Sequence, residues 1–242
     1  MKKLFPISLC VALVASIGGI SWLAPEKKEP ISTSVNIPVK NISIDNEAAE
    51  IYDTLQLDQK GLSENAFNYA YKGYKKLLAK GIVKSELLTI CDFSQSSRKK
   101  RLYIVDLENN EIVLNTYVAH GKNSGAEFAT KFSNKMSSLQ SSLGFYLTKN
   151  TYYGEHGLSL KVQGLEPGFN DKAMQRAIVV HGADYIEPSW LNRSNYMGRS
   201  FGCPAVPDDQ SNFIINTIKN GSCLFIYHPS KNYLNRSKIL NG

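Results

Sequence analysis

The chain has 242 residues, enough for one large domain or two small ones. Hydrophobic residues at 43% and charged residues at 20% exclude a disordered chain, a collagen-like repeat and a polytopic membrane protein. A formal net charge of +7 favours anionic surroundings, such as an envelope polymer or a lipid surface. Four cysteines are too few for a disulfide scaffold. No C-x-x-C pair points to a zinc finger or a thioredoxin-type redox site. The basic run Arg98-Lys99-Lys100-Arg101 abuts a strand pattern and has no aromatic ladder beside it, which argues against nucleic acid as a partner.

The amino terminus has the layout of an export signal. Met1-Lys2-Lys3 is followed by an uncharged run from Leu4 to Leu23, and Pro25 to Pro30 breaks it. The run has about the 20 residues a membrane span needs. Ser21-Trp22-Leu23-Ala24 and Ala15-Ser16-Ile17 each match a small-x-small cleavage pattern only in part. A cleaved signal peptide and a retained anchor over residues 1–24 therefore both stay open. Cys10 comes too early for a lipoprotein site. Residues 25–46 are polar, without periodicity, and are expected to be a linker.

From residue 47 to 232 the pattern suggests one β-rich domain with a few peripheral helices, and residues 233–242 are expected to be a tail. Ala48 to Leu57 suits a short helix. Ser63 is a good N-cap for a second helix, with Ala66, Phe67, Ala70, Tyr71, Tyr74, Leu77 and Leu78 on one face and Gly81 as the stop. Strand patterns follow at Leu87–Phe93, Arg101–Leu107 and Glu111–Val118, the last two joined by a turn at Asn109-Asn110. The Ser-rich stretch 123–142 is expected to be a long surface loop. Further strands are expected at Gly144–Lys149, Leu158–Gln163 and Ala177–Val180, with a helical turn or two at Asp171–Arg176. A helix over Asp208–Lys219 would bury Phe213, Ile214, Ile215 and Ile218. Ser222–Tyr227 closes the set. Cys91 and Cys223 fall in apolar strands and suit buried thiols, with a disulfide between them as the other option.

His181-Gly182 ends a buried strand pattern, and Gly198-Arg199-Ser200-Phe201-Gly202-Cys203-Pro204-Ala205-Val206-Pro207 follows. A nucleophilic cysteine needs a base and backbone donors for the oxyanion formed on attack. Gly202 permits close backbone approach, and the amides of Gly202 and Cys203 are the expected oxyanion donors. Pro204 has no amide to offer. From the residues alone, catalytic and structural readings of Cys203 stay open.

These residues resemble the active-site motif of the L,D-transpeptidase (YkuD-like) catalytic domain family, in a branch of Bacteroidetes type. The matches are His181, Gly182, Ser200, Gly202 and Cys203, and the similarity covers roughly residues 60–230. Thr89–Ser94 and Tyr117–Gly125 resemble it as well. The chain departs from the family pattern at Phe201, where most members have His, and at Ala205, where Asn or Arg is usual. Ser142-Leu143-Gly144-Phe145-Tyr146 matches a further family segment loosely.

The resemblance implies a mixed β-sandwich or barrel-like fold and an exported, periplasmic or envelope enzyme with no cofactor or metal. Cys203 would be the nucleophile and His181 the base, oriented by the carbonyl of Gly182 or by Ser200. The partners implied are a peptidoglycan tetrapeptide stem as donor and an amine as acceptor, with Arg199, His120, Phe201 and Tyr146 binding substrate. Membrane contact is expected only through the N-terminal segment. Glu155-His156 and His228 look ordinary. Two other classes remain to be weighed: a zinc hydrolase using His120, His156 and His181, and a wall-binding module without chemistry.

Overall fold

A computed structural model of the chain describes residues 43–242. The N-terminal apolar run and nearly all of the expected linker lie outside the described residues. No helix among the described residues is long and apolar enough to cross a membrane.

Two helices come first, α1 (Ile44–Thr54) and α2 (Glu64–Ala79). Ser63 caps α2 as expected, its Oγ accepting from the Ala66 amide at 3.2 Å, which satisfies one of the free N–H groups of the first turn. The apolar face of α2 buries Phe67, Ala70, Tyr71, Tyr74 and Leu77. That face packs on strands β1 (Leu87–Asp92) and β8 (Cys223–Tyr227), whose side chains are almost all buried. A stacked Phe145–Phe225 pair, ring centroids 4.2 Å apart, fills the centre beneath it.

Strands β2 (Leu102–Asp106), β3 (Glu111–Thr116), β4 (Gly144–Gly154), β5 (Gly157–Gly164), β6 (Val179–Ala183) and β7 (Ala205–Pro207) complete one eight-stranded sheet. Its order is β3-β2-β1-β8-β4-β5-β6-β7, and only the β1–β8 and β6–β7 pairs are parallel. The β2–β3 turn carries Asn110 at φ 51°, the left-handed conformation that asparagine tolerates. Helix α3 (Asp208–Ile218) buries Ile214, Ile215 and Ile218 against β5, β6 and β7. Phe213, expected on that face, is 54% exposed, because it lies one residue outside the helical stripe.

The sheet is nearly closed into a barrel. The chain leaving β3 crosses to the opposite edge, where the Ala119 amide donates to the Ala205 carbonyl at 2.8 Å and the Ser200 amide donates to the His120 carbonyl at 3.1 Å. The segment after β3 thus pairs with the chain leading into β7 and covers part of that edge.

Several expectations need correcting. The C-terminal residues fold as α4 (Lys231–Arg236) and α5 (Lys238–Asn241), with Tyr233 and Leu240 buried, because each short helix is capped by a serine and anchored by one large side chain. Residues 171–177 form hydrogen-bonded turns rather than a helix. The Ser-rich stretch has no regular structure, yet Ser124, Ser141 and Ser142 are buried and hydrogen-bonded inside it. Cys91 and Cys223 are free thiols. Cys91 pairs with Ile226, three residues along from Cys223, which puts the two cysteines about 10 Å apart and out of disulfide reach.

Candidate active site

Parallel pairing of β6 with β7 builds the site. His181 lies opposite Ala205 and Gly182 opposite Val206, so the turn carrying Cys203 enters β7 beside the histidine. Both side chains line one cleft of about 520 Å³, with Tyr152, Arg176, Tyr185 and Arg199 among its walls. Gly182 is obligatory here, since a Cβ would collide with Asp208 and Ser211 at the start of α3.

The Nδ1 of His181 lies 2.8 Å from the carbonyl oxygen of Gly182. A carbonyl only accepts, so Nδ1 carries the proton and Nε2 is left as an acceptor for a neutral ring. Burial lowers the pKa of His181, against the Gly182 bond, and the charge of His156 lowers it further. Cys203 is half-buried, and its Sγ sits 3.8 Å from the carbonyl of Ala177 as a thiol donor. Burial raises the Cys203 pKa, against the opposing pull of the Val179 backbone and of Arg176. Thiol and imidazole are therefore both neutral at rest near pH 7.

The turn before Cys203 is fixed by Ser200. Its Oγ donates to the Cys203 carbonyl at 2.6 Å and accepts from the Gly202 amide at 3.0 Å. Ser200 thus shapes the turn that carries Cys203, and the carbonyl of Gly182 sets the tautomer of the His181 ring. The same bond corrects the oxyanion expectation. The Gly202 amide is already engaged, whereas that of Cys203 has no acceptor among the described residues. Gly202 sits at φ 128°, and a Cβ on it would lie 2.8 Å from the Gln140 carbonyl, so no other residue fits without strain.

Two of the expected substrate contacts are elsewhere. His120 is fully buried, its Nδ1 accepting from Arg101 at 2.8 Å and its Nε2 3.3 Å from the Gly125 carbonyl. It holds the barrel closure rather than facing the cleft. Tyr146 is also fully buried, donating to the Ser142 carbonyl, because its side of β4 faces the core. Arg199 and Phe201 do line the cleft. Arg199 donates through Nη1 to the carbonyls of Lys122 and Gly125. Phe201 is 67% exposed, with the Lys122 ammonium 4.6 Å from its ring centre.

Three wall residues escaped sequence reasoning, and a fourth, His156, reads there only as ordinary or as a zinc ligand. Arg176 donates to the carbonyls of Ser133 and Gln140 and to the hydroxyls of Ser138 and Ser142, binding the Ser-rich loop to the site. Ala177 holds φ 53° without being glycine, so no sequence signal marks it. Tyr185 lies on the short 3₁₀ turn after β6. His156 stacks on His181. Among the described residues no three His, Cys, Asp or Glu side chains form a metal-binding group. The three histidines of the zinc reading do not converge, since Arg101 holds His120 away from the stacked pair.

A family model described as the L,D-transpeptidase catalytic domain matches residues 58–227. Among solved structures, an L,D-transpeptidase from Mycobacterium smegmatis is similar at 13% identity and a TM-score of 0.36, over 60% of this chain and 59% of that one. L,D-transpeptidase 3 from Mycobacterium tuberculosis is similar at 8% identity and a TM-score of 0.39, over 59% and 61%. Residues 123–326 of the L,D-transpeptidase from Xylanimonas cellulosilytica match at 14% identity and a TM-score of 0.34, over 72% and 93%. The chain spans about three-fifths of the length of most of these structures. No curated protein matches. With the family model covering most of the folded region and the Cys203–His181 cleft inside it, the chain belongs to the L,D-transpeptidase catalytic domain family.

Proposed function

We propose that this chain is an exported cysteine L,D-transpeptidase acting on peptidoglycan stem peptides. The observation that carries the reading is that Cys203 lines one cleft with a histidine whose tautomer Gly182 has set, leaving Nε2 as an acceptor. The His181 Nε2 accepts the thiol proton as Sγ attacks the carbonyl after the third, diaminopimelate residue of a tetrapeptide stem. The free Cys203 amide is available to the oxyanion. As the C–N bond breaks, His181 returns the proton to the departing D-Ala amine, leaving a thioester on Cys203. An acceptor amine, such as the side chain of a second diaminopimelate, then attacks. It gives its proton to His181, and the thiolate leaves and takes that proton back. A 3-3 cross-link, or another amide of the stem, results.

The charge of the half-buried Arg199 at the cleft wall suits a stem carboxylate. Export is supported by the basic start and uncharged run of residues 1–24, which leave the chain either released or anchored in the envelope. Water in place of the amine would make the enzyme an L,D-carboxypeptidase. The openness of Cys203 to the cleft favours that alternative over a wall-binding module without chemistry.

Incubation of the full chain with disaccharide-tetrapeptide, followed by intact-protein mass spectrometry, tests the reading. The expected result is an adduct of the stem minus D-Ala, absent in Cys203→Ala and strongly reduced in His181→Ala. No adduct with any of several stems, while Cys203 still reacts with an alkylating agent, would overturn it.

A further inference from the structure

The β4–β5 hairpin turns through Glu155 and His156 at its tip, and both residues border the cleft. The exposed ring of His156 lies face to face with the buried His181, centroids 4.3 Å apart and planes 19° from parallel. Holding an exposed side chain in one place costs conformational freedom. Here the surface it covers is one face of the imidazole assigned above as the base.

The stack has two physical consequences. The Gly182 bond fixes one edge of the His181 ring, and the His156 ring fixes its plane, so together they set where Nε2 points. Stacking also brings two titratable rings within one ring thickness, where two positive charges repel. We propose that His156 is a positioning residue for His181, holding the plane of the base and, when charged, keeping the proton off it. This rests on the reading of His181 as the base. The base then stays proton-free, and able to accept from Cys203, to more acidic pH than it would alone.

The other charged and titratable groups around the stack do not cancel the effect. Tyr152 and Glu155 come from the same hairpin, Arg176 from the turn before β6, and Tyr185 from the 3₁₀ turn after it. Arg199 and Cys203 come from the segment before β7. Asp208, on the helix α3 packed against β6, approaches Gly182, and both it and Glu155 are exposed, so water screens their carboxylates. Arg176 and Arg199 add positive charge, which acts in the same direction as a charged His156.

The chain contains four histidines, so their ring signals can be followed one by one by NMR in the full chain. His156→Phe keeps a stacking ring and removes the charge. The titration midpoint of His181 should then rise by roughly 0.7 unit, the effect of a unit charge about 4 Å away in water. His156→Lys restores a charge without the stack, and its midpoint should fall below that of His156→Phe. The acid limb of Cys203 acylation by disaccharide-tetrapeptide should move with each midpoint. An unchanged or lowered His181 midpoint in His156→Phe overturns the proposal. Midpoints that move as stated, with no acylation in any variant or in the parent chain, support the coupling and overturn the proposed function instead.

Discussion

The thiol of Cys203 points at the carbonyl oxygen of Ala177, 3.8 Å away, and Ala177 holds a left-handed backbone conformation at φ 53°. A non-glycine residue in that region stores strain of about 1 kcal/mol or more, and such strain collects at functional sites. The conformation aims the carbonyl at the Cys203 thiol. Ala177→Gly keeps the carbonyl and permits the same φ, so alkylation of Cys203 should stay within about twofold of the parent. Ala177→Val adds a β-branch at positive φ and should lower stability by about 1–3 kcal/mol, read from the urea midpoint.

Burial moves Cys203 and His181 apart on the pH scale, the thiol up and the imidazole down. A thiolate–imidazolium pair is therefore not the resting state. The rate of Cys203 alkylation by iodoacetamide should stay low from pH 5 to 8 and rise only above the ordinary thiol value near 9. A plateau of reactivity beginning below pH 6 would show that the ion pair exists at rest.

Arg176 ties the Ser-rich loop to the Cys203 turn, since its donors reach Ser133, Ser138, Gln140 and Ser142, and the Gln140 carbonyl abuts Gly202. Lysine keeps the charge but not the planar fork. Arg176→Lys should cost about 1–3 kcal/mol, the penalty for leaving partly buried acceptors unpaired. Proteolysis within residues 133–142 should quicken, and acylation of Cys203 should slow by roughly tenfold or more, the rate equivalent of about 1.4 kcal/mol.

His120 accepts from the fully buried Arg101, which also donates to the carbonyls of Val118 and Gln95. Burial, and then the Arg101 charge, lower the His120 pKa to about 3. The unfolded chain takes up this proton first as the pH falls, because its histidine titrates near 6.5. His120 therefore contributes stability that is present above pH 6.5 and is lost at up to about 1.4 kcal/mol per pH unit below it. Glutamine can both accept from Arg101 and donate to Gly125. His120→Gln should retain the neutral-pH stability and flatten the acid slope, measured by denaturant unfolding from pH 7 to 4. His120→Ala should unfold more easily at every pH.

Periodicity and turn chemistry alone located most elements in the sequence. The Ser63 cap, the heptad-like face of α2, the Asn109-Asn110 turn and the apolar strands β1, β2 and β8 are local features, written in neighbouring residues. The Cys203 motif was legible for the same reason, since Ser200, Gly202 and Cys203 act within four residues of one turn. So was the family, which rests on those residues and on His181-Gly182.

What decided the rest is contact between distant parts of the chain. Nothing near His156 signals that a hairpin will lay it on His181. Nothing near Arg176 signals that its guanidinium will gather a loop more than thirty residues away. The family resemblance and a strand-end position before the Ser-rich loop made His120 a cleft candidate, yet closure of the sheet turned it inward onto Arg101. Tyr146 followed the alternation of β4 into the core. Side-chain direction in a sheet depends on which face the barrel encloses, and that is set only when both edges of the sheet meet.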